Sequence, residues 1–304
     1  MKPRSFINSI DQWNGQGVLS LLGPTSSGKT AAALNWVKKN HTQNKQILLI
    51  SVDAVTVYSG LNVGSAKPSS QELTDFNWAG IDIFQPNEEA NVRKFIDAVQ
   101  PKLQNALQSK TPIIVVGGSF FYERALVDGM APGDRSDPEF IRGLSAKSNE
   151  DILKDLIKID ARWRDRLHEN DRYRLERYSD LTIRQGFKFD QLFTDSKADG
   201  LQSITDLPIK TLVMGMETNR DQYLIRLQSR MEEMFRAGWL AEVQGLIEKY
   251  SSEIPALQTV GYQQITHGLK AKNSLAKIAD DILLSHIQLV KKQKTWLRGL
   301  MAKQ

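Results

Sequence analysis

Two groups of residues in this chain have the types and spacing to do chemistry. The first is Gly23-Pro24-Thr25-Ser26-Ser27-Gly28-Lys29-Thr30, which fits the pattern G-x-x-x-x-G-K-[ST]. Its two glycines let the backbone fold tightly, so that successive N–H groups point inward at an anion. Lys29 would reach the outer phosphate of that anion, and the Thr30 hydroxyl would bind Mg²⁺. The second is Asp53, which closes the apolar run "LLISVD". A carboxylate beside a phosphate cradle has two readings: a holder of magnesium, as in an NTPase, or a general base acting on a second substrate. The cradle alone leaves open whether its phosphate is the tail of ATP or something less usual.

These residues need elements to hold them. Val18–Leu22 is an apolar run of the kind that forms a buried parallel strand, and "AAALNWVKK" after the loop is rich in helix formers. A helix N-terminus there adds partial positive charge to the cradle. Residues 46–53, 81–84, 112–118 and 211–216 are further strand candidates, and the stretch "EEANVRKFIDAVQPKLQNALQ" has helical spacing. Strands separated by helices imply a parallel sheet covered on both faces, with ligands bound at its carboxyl edge. From 133 to 205 the strand signal disappears. There "SNEDILKDLIKID" opens on a capping Ser148, and "NDRYRLERYSDLTIRQG" starts on Asn170 or Asp171 and stops at Gly186. After Met216 the chain reads as helical to its end, with a break near Gly238. The predicted fold is therefore α/β: a P-loop NTPase-like parallel sheet flanked by helices, built from 1–132 and 206–304, with an inserted all-helical domain at 133–205.

Composition bounds the function. The 304 residues are 40% hydrophobic and 25% charged, as in ordinary soluble proteins, and contain no cysteine. That excludes disulfides, thiol catalysis and a cysteine-based zinc site, and it fits the cytoplasm. No apolar run approaches the roughly 20 residues of a membrane span, so no membrane partner is expected. The net charge of +5 permits a polyanionic partner, although a generally solvated basic surface explains it equally well. His41, His168, His267 and His286 show no ligand spacing.

A longer constellation is more specific. The phosphate loop, "SVDAVTVYSGLNVGSAKP", "VVGGSFFYERALVDGM", "ENDRYRLERYSDL", "TVGYQQI" and "KKQKTWLRG" occur in that order and together resemble the tRNA dimethylallyltransferase family over nearly the whole chain. Around Asp53 the family pattern is roughly S-x-D-S-x-Q-V-Y-x-G-x-x-I-G-T-A-K-P, of which Val57, Tyr58, Gly60, Gly64, Ala66, Lys67 and Pro68 are also kept. The resemblance implies that the loop Gly23 to Thr30 holds the diphosphate of dimethylallyl diphosphate rather than ATP. It implies transfer of the five-carbon prenyl group to the exocyclic amine of an adenosine next to the tRNA anticodon, with Mg²⁺ as cofactor. Asp53 is then the candidate base, Arg220 an arginine that stabilises the departing diphosphate, and Ser119 the hydroxyl that contacts the target nucleotide. The segment Asp53, Ala54, Val55, Thr56 would recognise that nucleotide. Arg142, Tyr173, Arg174 and Arg177 in the inserted helices, with Thr259, Gly261, Tyr262 and Gln263 of "TVGYQQI", would face the anticodon stem-loop. A monomer is expected.

Alone, each residue reads more plainly: Asp53 as a helix cap or a magnesium ligand, Arg174 and Arg177 as a solvated helix face, Ser119 as a turn hydroxyl. The chain also departs from the family. Ala54 stands where a Ser is expected and Thr56 where a Gln is expected; losing that amide removes a donor–acceptor pair suited to an adenine edge. An expected arginine falls on Ile141, with Arg142 one place later, and another falls on Ile287. The phosphate-side residues are intact while the nucleotide-side residues have drifted. Three alternatives remain: a small-molecule kinase or NTPase, a prenyltransferase of free adenine nucleotides, and an inactive RNA-binding relative.

Overall fold

The computed structural model describes residues 4–40, 46–129, 133, 136–193, 207–216 and 219–302. His41 and the expected domain boundaries at 132 and 206 lie outside them. The chain divides into two compact units, one of Met1–Val127 with Ile204–Gln304 and one of Asp128–Ser203.

The larger unit is built on six strands: β1 (Ser5–Ile7), β2 (Val18–Leu22), β3 (Leu48–Val52), β4 (Asn77–Ala79), β5 (Ile113–Gly117) and β6 (Ile209–Val213). They form one sheet in the order β1-β6-β2-β5-β3-β4, and every pairing is parallel. All five residues of β2, of β3 and of β5 are buried, which is what a central parallel strand covered on both faces requires. The helices of this unit are α1 (Lys29–Asn40), α2 (Ser70–Asp75), α3 (Val92–Gln108) and α4 (Phe120–Asp128), followed in the smaller unit by α5 (Pro138–Leu144), α6 (Asn149–Ile159), α7 (Trp163–Arg166), α8 (Arg172–Ser179) and α9 (Phe189–Phe193). The larger unit then resumes with α10 (Arg220–Arg236), α11 (Trp239–Lys249), α12 (Tyr262–Lys270) and α13 (Leu275–Met301).

Side chains that alternate along the strands make the two faces. Leu19, Leu21, Leu49, Ile114 and Val116 pack with Leu34, Trp36 and Val37 of α1. On the other face Leu22 packs with Phe120 of α4 and with Leu297 and Leu300 of α13. Two differences from the sequence expectation concern short strands. Residues 81–84 do not form a strand; Gly80 and Asp82 both have positive φ, +82° and +54°, which breaks extended backbone. The strand lies just upstream at β4, and Phe84 keeps only an isolated bridge to Tyr58. β1 was invisible in the sequence because three residues of edge strand carry too little apolar pattern.

The smaller unit has its own core, centred on a fully buried Trp163 with Leu156, Leu167 and Leu175. Ser148 caps α6 and Asp171 caps α8 through their side chains, as their residue types predict. α8 continues into a wider turn of π type, Asp180–Arg184. There the buried Asp180 accepts hydrogen bonds from Arg184, Gln185 and the Asp137 backbone. Burial alone would raise its pKa; these bonds outweigh that and hold the carboxyl below its ordinary range.

One charged group lies deep in the larger unit. Glu123 of α4 pairs with Arg4 at 2.5 Å, both side chains being almost wholly buried (0% and 3% exposed), and it accepts from the Ser20 hydroxyl of β2 at 2.7 Å. It thus ties α4 to the strand that feeds the phosphate loop. Removing one partner of a buried pair strands the other's charge, so Glu123→Ala is expected to cost about 3–5 kcal/mol, read from the urea unfolding midpoint.

Candidate functional site

The sequence Gly23 to Thr30 bridges the end of β2 and the start of α1, as a phosphate loop must. Its turn places Ser26 at φ +58°, a left-handed conformation that a non-glycine residue adopts only when its surroundings fix it. Those surroundings come from α10 and α13. The Tyr223 hydroxyl donates to the Thr25 carbonyl. Gln293 Oε1 accepts from the Thr25 N–H at 3.1 Å, and its Nε2 donates to the Gly118 carbonyl at 3.0 Å. One buried amide therefore joins the phosphate loop to the loop after β5. It can lie so close to that loop only because position 118 is glycine: a Cβ there would stand 2.6 Å from Gln293 Nε2.

Beside the loop opens a cleft of about 230 Å³ at the carboxyl edge of the sheet. Thr25, Ser26, Gly28, Lys29 and Thr30 line it from the phosphate loop, and Asp53, Val55 and Thr56 from the loop after β3. Lys29 Nζ folds back on the Pro24 carbonyl at 3.0 Å. Burial is the largest influence on this ammonium and, with the nearby Arg230, lowers its pKa to about 8 against the opposing pull of Asp53. Arg230, on α10, also lines the cleft, and its Nη1 reaches Ser26 Oγ at 3.4 Å. Burial lowers its pKa too, again opposed by Asp53.

Asp53 is oriented by its own turn. Oδ1 accepts from the Val55 N–H at 2.8 Å and the Thr56 N–H at 3.2 Å. Among the described residues no hydrogen bond occupies Oδ2, so one oxygen fixes the carboxylate and the other is open. Thr56 is buried, its hydroxyl sharing a hydrogen bond with Ser51 at 3.0 Å, and Ala54 is exposed.

The other sequence candidates are placed as follows. Ser119 follows Gly118 and is held by its backbone N–H on the Val52 carbonyl at 2.9 Å, without lining the cleft. Arg220 does not line it either. It is exposed in the first turn of α10, and the arginine that α10 delivers to the phosphate loop is Arg230, nearly three turns further on. Tyr262 is wholly buried (0% exposed) and donates its hydroxyl to Glu242, so its side chain has no surface to offer a nucleic acid. Gly261 packs on Trp239, the Thr259 hydroxyl bonds the Ala256 carbonyl, and Gln263 contacts Gln258. In the smaller unit Arg142 and Arg174 are exposed, Tyr173 is 74% exposed, and Arg177 is engaged by Ser136 and Asp180.

Among the cleft residues that escaped the sequence reading are Arg230, Gln293 and His286. A signal existed. Tyr223, Leu227 and Met234 form a buried stripe on α10, and Arg230 falls on the same stripe; Gln293 interrupts the stripe of Val290 and Leu297 on α13 in the same way. A polar residue at a core position of an amphipathic helix has to face something polar. His286 Nδ1–H donates to the Ile282 carbonyl, 2.9 Å away, and burial lowers the imidazole's pKa.

A parallel sheet with a phosphate-loop sequence at its carboxyl edge, and a carboxylate sharing the loop's cleft, defines a phosphate-loop α/β protein. The family model described as IPP transferase matches residues 56–300. The chain belongs to that family. A tRNA dimethylallyltransferase of Francisella philomiragia is 31% identical over 289 residues, covering 93% of this chain and 90% of that protein. One from Gloeobacter violaceus is 26% identical over 283 residues, covering 93% and 89%. In fold, the chain is similar to the tRNA isopentenylpyrophosphate transferase of Bacillus halodurans (TM-score 0.62, 23% identity, 93% of this chain and 87% of that one). It is also similar to a eukaryotic dimethylallyltransferase acting on tRNA (TM-score 0.73, 21% identity, 93% and 70%).

The geometry makes a test of the anion site direct. Arg230→Gln should weaken binding of inorganic diphosphate by about 10–100-fold, the worth of a charge-assisted contact, while Arg220→Gln should change it less than about twofold. Calorimetric titration measures both. The pH dependence follows from Lys29. Well below pH 8 its ammonium is present in the free protein, so affinity corrected for the ligand's own ionisation should be flat. As pH rises through about 8 the charge is lost and affinity should fall by up to about tenfold per unit.

Proposed function

We propose that this protein transfers a dimethylallyl group from dimethylallyl diphosphate to the N6 amine of the adenosine next to the anticodon of tRNA, releasing diphosphate. Family membership supports the reaction class. The observation that carries the assignment of roles is the single cleft in which an open carboxylate oxygen, Asp53 Oδ2, shares a wall system with the phosphate loop and two buried cations.

The chemistry follows from those parts. The adenine amine attacks the first carbon of the prenyl group; a C–N bond forms and the C–O bond to diphosphate breaks. The bonding pair leaves with diphosphate, which gains charge as it departs, and Lys29 and Arg230 stabilise that charge. Asp53 Oδ2 takes the proton that the amine must lose. Arg230 is held on Ser26 and Lys29 on the Pro24 carbonyl, in a loop whose backbone Tyr223 and Gln293 tie at Thr25, so the positive charge is placed before the donor arrives. Gln293 joins the donor loop to the Gly118–Ser119 turn, so the proposed Ser119 contact with the nucleotide moves with the donor site. The adenine has to leave its stack to reach this cleft.

Mg²⁺ fits the donor set in one form. Among the described residues no group of three His, Asp or Glu could hold a metal by itself. The cleft offers oxygen donors, the Thr30 hydroxyl and the Asp53 carboxylate, which suit a hard cation that brings its own water and phosphate ligands. When bound, Mg²⁺ would neutralise charge on the diphosphate, with Thr30 as its protein ligand.

For the smaller unit, the exposed Arg142, Tyr173 and Arg174 are the proposed contacts with the anticodon stem-loop, the arginines for phosphates and Tyr173 for stacking. No helix among the described residues is long and apolar enough to cross a membrane. We place the reaction in the cytoplasm and assign the protein as a monomer.

The test is product identification by mass after incubation with dimethylallyl diphosphate and Mg²⁺, supplying tRNA, AMP or ATP in turn. Prenylated tRNA is expected; a prenylated mononucleotide or phosphate transfer from ATP would replace this reading. Asp53→Asn should bind diphosphate and tRNA normally and lose turnover by about 10²–10⁴-fold, the usual share of a general base. Near-normal turnover would remove Asp53 from that role.

A further inference from the structure

The phosphate loop is one wall of the cleft. Another is the turn at 61–68, from which Gly64, Ser65, Ala66 and Pro68 line the same space. This turn is held from outside the cleft by one carboxylate on α11. Glu242 Oε2 accepts from the N–H groups of Asn62 at 2.8 Å and Val63 at 2.9 Å, and Oε1 accepts from the Gly64 N–H at 3.3 Å and from the Tyr262 hydroxyl at 2.6 Å. Three successive N–H groups converging on an anion make a nest, and here the protein's own side chain fills it.

A second contact fixes how deep the turn sits. Trp239, one helical turn before Glu242, is fully buried against Gly64, where a Cβ would fall 1.8 Å from the indole nitrogen. The far side of the turn is tied by Lys67, whose ammonium donates to the Tyr58 carbonyl and to Asn62 Oδ1, both at 3.0 Å. The donor side of the cleft has separate fasteners in Tyr223, Gln293 and Arg230, none of them on α11. The two walls are thus set by different helices.

From this arrangement, and resting on the reaction proposed above, we infer that Glu242 is a positioning residue for the acceptor: it sets the backbone of 62–64 and so places the wall that meets the incoming nucleoside, while touching neither substrate. The donor's diphosphate occupies the phosphate-loop side, so the amine has to approach Asp53 from the side that the 53–68 segment provides. A carboxylate is a poor choice for stability alone beside a cleft built for anions, where it adds like charge. Its use here is explained by the three N–H groups, which apolar packing could not align. Tyr262 supports the same reading: its buried hydroxyl is spent on Glu242, and burial with that carboxylate pushes its pKa upward.

The experiment combines hydrogen exchange with kinetics on the full chain. In Glu242→Gln, one carboxylate oxygen becomes an NH₂ that cannot accept, so the amides of 62–64 should exchange at least about tenfold faster while those of the phosphate loop are unchanged. KM for tRNA should rise at least about tenfold, with the affinity for inorganic diphosphate within about twofold of wild type. Glu242→Asp, which keeps the charge, should recover part of the loss. An unchanged KM with activity lowered only in proportion to the folded fraction would overturn the proposal, as would diphosphate affinity that falls in step with tRNA affinity. Should Glu242→Gln fail to fold, Tyr262→Phe removes one of the four bonds to the same carboxylate and should raise KM for tRNA by about threefold; a normal KM would count against it. Wild-type protein that prenylates no tRNA would refute the reaction itself, and the exchange measurement would still decide whether Glu242 sets the turn.

Discussion

The structure depends on keeping two cations out of water next to each other without letting the carboxylate between their influences collapse onto them. Lys29 and Arg230 are both lowered in pKa by burial, and both are pulled back by the charge of Asp53. In the free protein Asp53 is therefore the counter-charge of the anion site as well as the candidate base. On the proposed reaction, an arriving diphosphate would take over the cations' electrostatic demand and release the carboxylate from that role, while its Oδ1 stays fixed by two backbone N–H groups. Donor binding and base activation would then be linked by this exchange of partners.

Such a site is expensive to hold, and the sheet alone does not hold it. β2 and β3 deliver the phosphate loop and Asp53 to one edge, with β5 between them. The loop's left-handed turn at Ser26 is maintained by α10 and α13, helices that come more than 190 residues later in the chain. The N-terminal half of the core thus supplies the loop, Lys29 and Asp53, and the C-terminal helices supply Arg230 and the contacts that fix the loop's geometry. The buried Arg4–Glu123–Ser20 group extends the same logic to β2, fixing the strand just before the loop begins.

This division explains what the sequence disclosed. The phosphate loop and Asp53 were legible because their chemistry is local: glycines at fixed spacing, a lysine, a hydroxyl and a carboxylate at a strand end. Val18–Leu22 was legible as a strand because a covered parallel strand is apolar throughout. Arg230, Gln293 and Glu242 were not, because each acts at a distance through one or a few hydrogen bonds to loops far away in the chain. Only the burial stripe of the helix marks Arg230 and Gln293. Arg220 was the natural choice at the start of α10, yet a helix needs nearly three more turns to carry a side chain to the loop. Tyr262 misled for the opposite reason. A tyrosine in a segment expected to face RNA reads as a contact, whereas here its buried hydroxyl donates to the Glu242 carboxylate.

The departures from the family pattern acquire a physical direction in this light. Ile141 packs against the core of the helical unit, and Ile287 packs in the seam of α10 and α13 with Tyr223 and Leu227. An arginine at either place would have to leave that packing to reach a nucleic acid. Thr56 has turned inward as well, its hydroxyl spent on Ser51 in a buried pair, so it cannot offer an adenine edge what a glutamine amide would. Three of the four drifted positions have therefore become structural, and the fourth, Ala54, is exposed but carries no polar atom. On the proposed reaction, recognition of the acceptor would then fall on the shape of the wall at 61–68, whose N–H groups at 62–64 are engaged by Glu242, with the open oxygen of Asp53 and the turn at Gly118–Ser119. A wall that fits its nucleoside by shape depends on how its backbone is held more than on which side chains it bears. On that proposal, the burden of specificity would shift from the substituted positions to the clamp on α11.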